Sequence, residues 1–281
     1  MITAPGIYQI SAAEYHQDCC IEPSLSSSIA FKLISESALH AKWAHPRFTL
    51  FPVREESARM DLGSIAHALM LEGENIAVVI DADNYRTKAA QEARDEARLA
   101  GTCPILAPEM ATVKEMMQAC REQLSMFDID FMAGETERTL VWRERGIWCR
   151  ARLDYINVLA GMIIDYKTIG GSAHPQQISR SAASKGWLIQ ESFYRRGYKA
   201  VFGQDIEPDF FFVCQETYRP YALTMFEVSP ADRALAEAQV NYAINTFGEC
   251  LRTGTWPGYS NKVERITSPP YVEMQWMERE Q

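Results

Sequence analysis

Two aspartates and a lysine stand near the middle of the chain in a spacing that could support metal-assisted chemistry. Residues two apart on a strand share a face about 6–7 Å from each other, so Asp165 and Lys167 project together if 162–168 is extended. A turn over 157–161 would set Asp154 beside Asp165. Magnesium binds one or two carboxylates together with phosphate oxygens. The pattern therefore predicts hydrolysis of a phosphate ester, with the lysine positioning or deprotonating a water.

A plain ion pair between Asp165 and Lys167 at an exposed strand end is the simpler alternative. The apolar residues 162–164 argue against exposure, and Asp154 supplies a second carboxylate upstream. Burying such charges costs several kcal/mol each unless something compensates them, and a divalent cation would do so. On these residues alone both interpretations stay open.

The elements that must position these residues lie in the second half of the chain. Alternating and helical apolar patterns predict three adjacent strands, two helices, two further strands and a long helix. The bounds are strands 137–145, 148–158 and 162–168, helices 176–183 and 188–202, strands 209–215 and 222–228, and a helix from 230 to about 251. This order predicts an α/β or α+β domain.

The first 130 residues carry mostly helical patterns. Helices are expected after the serine-rich segment 24–28 and over 58–72, 87–99 and 108–126, with a loop over 43–53 and a strand-like run over 75–81. We therefore expect one domain over 1–281, in which 1–130 is a helical elaboration, 131–253 is the core and 254–281 is a tail rich in proline, glycine and serine.

Composition narrows the class of protein. The chain has 281 residues and a formal charge of −9, which disfavours nonspecific coating of nucleic acid. Its seven cysteines include no Cys-x-x-Cys pair, which favours a reducing cytoplasm and argues against an iron–sulfur cluster. With no apolar run of about 20 residues and no secretory signal pattern, we expect no membrane association.

The motifs resemble the PD-(D/E)xK nuclease superfamily, in particular its RecB-type, RecE-like exonuclease VIII branch carried by prophages. The signature is Asp154 followed by Asp165-Tyr166-Lys167, although Leu153 replaces the usual proline. The supporting motifs are GSIAHAL at 63–69, CRARLD at 149–154, QESFY at 190–194 and WP at 256–257. The resemblance implies a restriction-endonuclease-like core, with a central mixed sheet flanked by helices and a helical N-terminal elaboration.

The resemblance also implies a set of metal ligands. Asp154 and Asp165 would be the main ligands, and His67 and the backbone carbonyl of Tyr166 would complete the set. The ion would be Mg²⁺, with Mn²⁺ as a substitute. A histidine that caps a neighbouring group is the alternative for His67.

Three further residues would complete the catalytic site by the same resemblance. Lys167 would handle the water nucleophile. Gln190 and Tyr194 are four residues apart on one helix face, from which they could hold Lys167, a phosphate or a base edge. Ordinary packing of a polar–aromatic pair is the alternative for these two.

DNA contacts are expected near the acidic residues. Parity places two arginines on the strand face of Asp154, two hydroxyl residues follow the next strand, and a lysine precedes the helix of Gln190. These candidates are Arg150, Arg152, Thr168, Ser172 and Lys185. Arg195, Arg196 and Lys199 could extend a basic stripe along that helix or form a solvated face.

The resemblance implies a magnesium-dependent 5′-to-3′ exonuclease on double-stranded DNA ends, used in phage-type recombination. Its relatives form rings around DNA, which would reconcile an acidic exterior with a basic channel, and a single-strand annealing protein is a possible partner. Two alternatives remain, namely a catalytically inactive protein that binds DNA ends or a recombination partner, and a metal-dependent hydrolase of a small phosphorylated substrate.

Overall fold

The computed structural model describes residues 1–49, 62–72, 77–129 and 133–279. Its strands are β1 (Gly6–Tyr8), β2 (Ser24–Leu25), β3 (Ala77–Ile80), β4 (Cys103–Leu106), β5 (Glu135–Glu144), β6 (Ile147–Asn157), β7 (Met162–Ile169), β8 (Asp209–Glu216) and β9 (Leu223–Phe226). Its helices are α1 (Ala12–His16), α2 (Ser27–Ser35), α3 (Ala38–Ala44), α4 (Leu62–Glu72), α5 (Lys88–Leu99), α6 (Ala107–Ser125), α7 (Pro175–Ser184), α8 (Trp187–Phe202), α9 (Pro230–Thr253) and α10 (Pro270–Met277).

A mixed sheet forms the centre of the fold. Its strand order is β1-β5-β6-β7-β8-β9, and the short β2 also pairs with β6. The β7–β8 and β2–β6 pairs are parallel, and the other neighbours are antiparallel. Helices α7 and α8 make the crossover that parallel pairing of β7 and β8 requires. The expected mixed sheet flanked by helices is therefore confirmed.

Two apolar cores cover the opposite faces of this sheet. The larger joins the sheet to α2, α3, α8 and α9, with Trp142, Phe193 and Phe247 at its centre. The second joins it to α4 and α6, and includes Met116 and Tyr166. A separate parallel pair, β3–β4, packs with α5 beside α6. No helix in the described ranges is long and apolar enough to cross a bilayer.

Helix α8 lies unusually close to the sheet because of one glycine. A Cβ at Gly197 would come within 2.7 Å of the Trp142 ring on β5, which is closer than side-chain carbons approach. The glycine therefore allows the helix backbone to rest on the indole. This close packing fixes the helix that carries Gln190 and Tyr194.

The inward–outward alternation of β6 slips by one residue at Asp154. Leu153 packs in the larger core, whereas Tyr155, two residues later, packs in the core beneath α4. On the adjacent strand Glu137 has a φ of +56°, which interrupts the regular pleat at the same level. Because of this slip, Asp154 is not part of the regular strand pairing. The alternation of inward and outward side chains up to Leu153 therefore does not predict where the Asp154 side chain points.

Several elements differ from the sequence-based expectations. The short strands β1, β2 and β4 and the helices α1, α3 and α10 have no counterpart in the sequence-based prediction. The predicted loop over 43–53 begins inside α3. Its residues 50–53 lie outside the described residues, as do 58–61 of the predicted helix and 75–76 of the predicted strand-like run. Strands of two to four residues are too short to show a period, which is why the pattern missed them.

Candidate active site

The two aspartates lie where β6 and β7 separate. The ladder between these strands pairs Asn157 with Met162, Ile156 with Ile163 and Tyr155 with Ile164, and then ends. One further step of the same register sets Asp154 opposite Asp165. There the backbone N–H of Tyr166 donates to Asp154 Oδ2 at 2.8 Å, so a carboxylate replaces the missing strand partner.

Helix α4 brings His67 to Asp154. The His67 Nε2 atom lies 3.1 Å from Asp154 Oδ2, and the imidazole stacks on the Tyr166 ring with centroids 5.6 Å apart. The Tyr166 hydroxyl donates to Gln215 at 2.5 Å, which fixes that ring. Burial acts to lower the pKa of His67, but the hydrogen bond and charge of Asp154 outweigh it and raise that pKa. The same contact lowers the pKa of Asp154 against the opposing effect of burial.

Asp165 is the most deeply buried acid of the site, with 1% of the residue exposed. Its Oδ1 lies 2.5 Å from Lys167 Nζ, and its Oδ2 accepts from Gln190 Nε2 at 2.5 Å. Burial raises the pKa of Asp165 to about 6, against the attraction of Lys167 and with the repulsion of Asp154 added. Burial acts to lower the pKa of Lys167, but the two carboxylate charges outweigh it and raise that pKa.

Helix α8 presents Gln190 and Tyr194 to this cluster from the larger core. Gln190 holds Asp165 directly, as described above. Tyr194 is buried, with its ring 6.3 Å from that of Phe210. Burial raises the pKa of the Tyr194 hydroxyl well above its usual range, and the charges of Asp165 and Asp154 add to this effect. Gln190 therefore contacts a carboxylate of the site, whereas Tyr194 is packed beside it and stays a neutral phenol.

The donor atoms at the separation of the strands fit a hard cation. Asp165 Oδ1 is buried, and its described contact is the ion pair with the Lys167 ammonium. Both described contacts to Asp154 fall on Oδ2. The Tyr166 carbonyl faces the same strand edge as its N–H, toward Asp154, because both backbone groups of a strand residue point to one neighbour. Carboxylate and carbonyl oxygens are the ligands that Mg²⁺ prefers.

His67 is not positioned as a metal ligand together with the two aspartates in this structure. In the described ranges, no group of three His, Cys, Asp or Glu side chains is arranged so that it could hold a metal ion. His67 Nε2 is engaged by Asp154, and the oxygens of Asp165 are engaged by Lys167 and Gln190. A bound cation would therefore replace the present hydrogen-bond and ion-pair partners of these atoms. His67 would then either ligate the cation or orient Asp154.

Arg150 is not placed for DNA contact, so this prediction is corrected. The residue is 3% exposed, and its Nη1 donates to the Ser24 carbonyl at 2.7 Å and to Asp18 Oδ1 at 3.1 Å. Its guanidinium also lies 5.4 Å from the centroid of Tyr15. These contacts bind the N-terminal segment to β6. The guanidinium thus neutralises a buried acid and is closed to a phosphate.

The other DNA candidates occupy varied positions. Arg152 pairs with Glu137 and donates to the Ile10 carbonyl at 2.8 Å, which leaves it largely buried. Thr168 is half-buried and, by strand parity, lies on the opposite face from Lys167. Ser172 is exposed just past β7, where its hydroxyl accepts from the backbone N–H of residue 174 at 3.1 Å.

Lys185 is an exposed candidate, with its ammonium 5.6 Å from the centroid of the Trp187 ring. The basic residues of α8 are instead engaged within the fold. Their ion pairs are Arg195 with Glu191 and Glu207, Arg196 with Glu144 and Glu237, and Lys199 with Glu207. A continuous basic stripe along α8 is therefore not supported.

Glu137 is a functional candidate that the sequence did not single out. The β5–β6 register sets it opposite Asp154, so acids from three neighbouring strands form one row with Asp165. Its carboxylate pairs with Arg152, and its charge contributes to the raised pKa of His67. In the sequence, Glu137 is one of several charged residues on a predicted strand. Only the interrupted pleat in the structure distinguishes it from the others.

The central mixed sheet, its helical layers and the acids at the separation of two strands define a PD-(D/E)xK-like domain. The chain belongs to the family described as a PDDEXK-like domain of unknown function, DUF3799, whose model matches residues 26–269. The chain has no significant match among curated proteins.

Two solved structures can be compared with it. One, from Eubacterium rectale and named "Putative exonuclease", aligns at 12% identity over 96% of this chain and 98% of that chain, with a TM-score of 0.59. At this identity the likeness shows the fold. The structure of SSO0001 aligns at 15% identity over 64% of this chain and 84% of that chain, and its TM-score of 0.29 is too low to carry an argument. Neither comparison confirms the exonuclease VIII branch.

Proposed function

We propose that this protein is a magnesium-dependent deoxyribonuclease that hydrolyses phosphodiester bonds. The observation that carries the proposal is the meeting of Asp154, Asp165 and Lys167 where β6 and β7 separate, with Asp165 Oδ1 buried against the Lys167 ammonium. Membership of a PDDEXK-like family supports a nuclease.

Each residue of the site has a separate role in the proposed hydrolysis. Asp154, Asp165 and the Tyr166 carbonyl would hold the cation, and His67 would ligate it or orient Asp154. When bound, Mg²⁺ or Mn²⁺ lowers the pKa of water and stabilises charge on a phosphate. Gln190 keeps Asp165 in place through its hydrogen bond.

Lys167 orients the attacking water rather than deprotonating it. Its raised pKa keeps the ammonium charged near neutral pH, so it donates hydrogen bonds to the water or to a phosphate oxygen. The water oxygen forms a bond to phosphorus and loses a proton to solvent. The bond from phosphorus to the deoxyribose oxygen breaks, and this oxygen takes up a proton from solvent to leave as a hydroxyl. The ammonium stabilises the negative charge that develops on the phosphate.

The finer assignments rest on the sequence resemblance. We propose digestion of double-stranded DNA from its ends in the 5′-to-3′ direction, in the cytoplasm, as part of phage-type recombination. The E. rectale protein of the same fold is named an exonuclease, which agrees with action at DNA ends. We also propose a homo-oligomeric ring and a single-strand annealing partner, and a monomeric mass in light scattering would refute the ring.

Digestion of linear and closed circular duplex DNA tests the proposal. With Mg²⁺, wild-type protein should release nucleotides from the linear duplex and leave the circle intact, and Lys167→Ala should release none. Lys114→Ala removes an exposed lysine of α6 and serves as the matched control. Binding of linear duplex without nucleotide release, in both Mg²⁺ and Mn²⁺, would identify an inactive binding protein instead. Labels at the 5′ and 3′ ends report the direction.

A further inference from the structure

A basic cavity lies outside the candidate active site, between α5, β4 and the loop before α5. Its volume is about 540 Å³. Its described lining residues include three arginines, Arg86 from the loop and Arg94 and Arg98 from α5, and one acid, Glu109. Arg94 and Arg98 are four residues apart, so they extend from the same face of the helix. Three cations therefore share one concave space in a chain whose net charge is −9.

Among the residues that the structure describes, the acids near this cavity leave most of its donors available. Glu109 Oε2 already accepts the backbone N–H of Leu106 at 3.0 Å, where it caps α6. Asp95 Oδ1 accepts a hydrogen bond from Arg94 Nε at 2.8 Å. The two terminal nitrogens of that guanidinium can therefore donate to another acceptor. Arg94 also lies 5.6 Å from the centroid of the Tyr85 ring, which orients the guanidinium plane at the cavity wall.

Helix α4 contributes one residue to the cavity and another to the candidate active site. Ile65 of α4 lines the cavity, and His67 follows two residues later on the same helix. Two residues correspond to a rotation of about 200°, so His67 faces away from the cavity across a helix about 10–12 Å wide. A DNA strand rises about 3.4 Å per nucleotide, so this width corresponds to about three nucleotides.

We propose that the cavity lined by Arg86, Arg94 and Arg98 binds a backbone phosphate of the DNA strand a few nucleotides from the bond that is cut. The inference rests on the proposed function for the identity of the strand. Guanidinium groups bind phosphate oxygens through paired hydrogen bonds, and contacts of this kind position DNA without reading its sequence. The cavity would supply the phosphate contacts that the buried Arg150 and the paired arginines of α8 do not.

The test measures the affinity for a short DNA duplex by fluorescence anisotropy, in EDTA, across a series of salt concentrations. The variant is Arg94→Gln/Arg98→Gln, which keeps good helix formers on α5. Lys88→Gln is the matched control, because Lys88 lies on the same helix, outside the cavity, and pairs with Glu92 at 3.6 Å. Circular dichroism of each variant checks that it is folded.

At about 50 mM salt, the affinity of the double variant for the duplex should be about tenfold lower than that of the wild type for each phosphate contact that the substitutions remove. Its plot of log affinity against log salt should also flatten by about one for each such phosphate. Lys88→Gln should match the wild type. Equal affinity and slope in the double variant would overturn the inference, as would an equal decrease of affinity in Lys88→Gln. If the double variant instead loses only the binding of deoxyadenosine monophosphate in isothermal titration, the cavity takes a free nucleotide and the inference is wrong.

Failure of the proposed function is detected separately. Wild-type protein with Mn²⁺ should hydrolyse bis(4-nitrophenyl) phosphate, an ester too small to extend from the active site to the cavity. Absence of this hydrolysis and of DNA digestion would contradict the nuclease, whereas the anisotropy measured in EDTA does not depend on cleavage.

Discussion

Acidification from pH 7 to pH 5 should lower the free energy of unfolding through the buried His45. This residue is fully buried, and its ring lies 4.4 Å from that of Phe48. Its Nδ1 accepts the backbone N–H of Arg47 at 3.2 Å, and its Nε2 lies 3.1 Å from the Ser24 carbonyl. Since Nδ1 acts as an acceptor, Nε2 carries the proton and donates. Both nitrogens are satisfied in the neutral ring, and a second proton would displace the contact to Arg47.

The size of the effect follows from the pKa of His45. Burial lowers this pKa to about 4, and the charges of Arg150 and Arg47 add to the decrease, although Asp18 opposes it. In the unfolded chain a histidine has a pKa of about 6.5. Below that pH the unfolded state binds a proton that the native state excludes, so stability present above pH 6.5 is lost as the pH falls toward 4. The loss between pH 7 and pH 5 is about 2 kcal/mol.

Urea unfolding at both pH values, for wild type and His45→Gln, measures this contribution. The glutamine can still donate to Ser24 and accept from Arg47, but it does not titrate. The wild type should lose about 2 kcal/mol more than the variant between pH 7 and pH 5. An equal loss in the two proteins would show that His45 does not cause this pH dependence, as would an NMR titration of the His45 ring with a midpoint near 6.5.

Four substitutions and one control variant test other parts of the structure. Arg150→Met should lower the free energy of unfolding by about 3–5 kcal/mol, because it leaves Asp18 buried with fewer partners, whereas the exposed Arg121→Gln should change urea unfolding little. Gln190→Ala should reduce the rate of DNA digestion about 10–100-fold by releasing Asp165, and an unchanged rate would remove Gln190 from the site. Asp165→Ala should lose both cleavage and Mn²⁺ binding, whereas Lys167→Ala should lose cleavage and still bind Mn²⁺ in calorimetry.

The sequence predicts the hairpin that carries the two aspartates because its signals are local. Apolar residues mark β6 and β7, and residues 158–161 form the expected turn between them. The position of Asp165 beside Lys167 follows from strand parity alone. Helix α8 is also predictable from its period and from Gly203 at its end.

Other features depend on contacts between residues distant in the sequence. Parity placed Arg150 on the face of Asp154, but the alternation of β6 slips at Asp154. Arg150 is buried against Asp18, which the distant N-terminal segment supplies. The approach of His67 to Asp154 joins residues 87 positions apart, so the family motif suggests it and no local rule does. The role of Glu137 is similarly hidden, because its φ of +56° is not encoded by its residue type.

Anomalous diffraction from crystals soaked in Mn²⁺ tests the metal site most directly. We expect an anomalous peak within about 2.0–2.4 Å of carboxylate oxygens of Asp154 and Asp165, with the Tyr166 carbonyl as a further ligand. Side chains of these two aspartates turned away from any bound ion, or an ion held elsewhere on the chain at full occupancy, would contradict it.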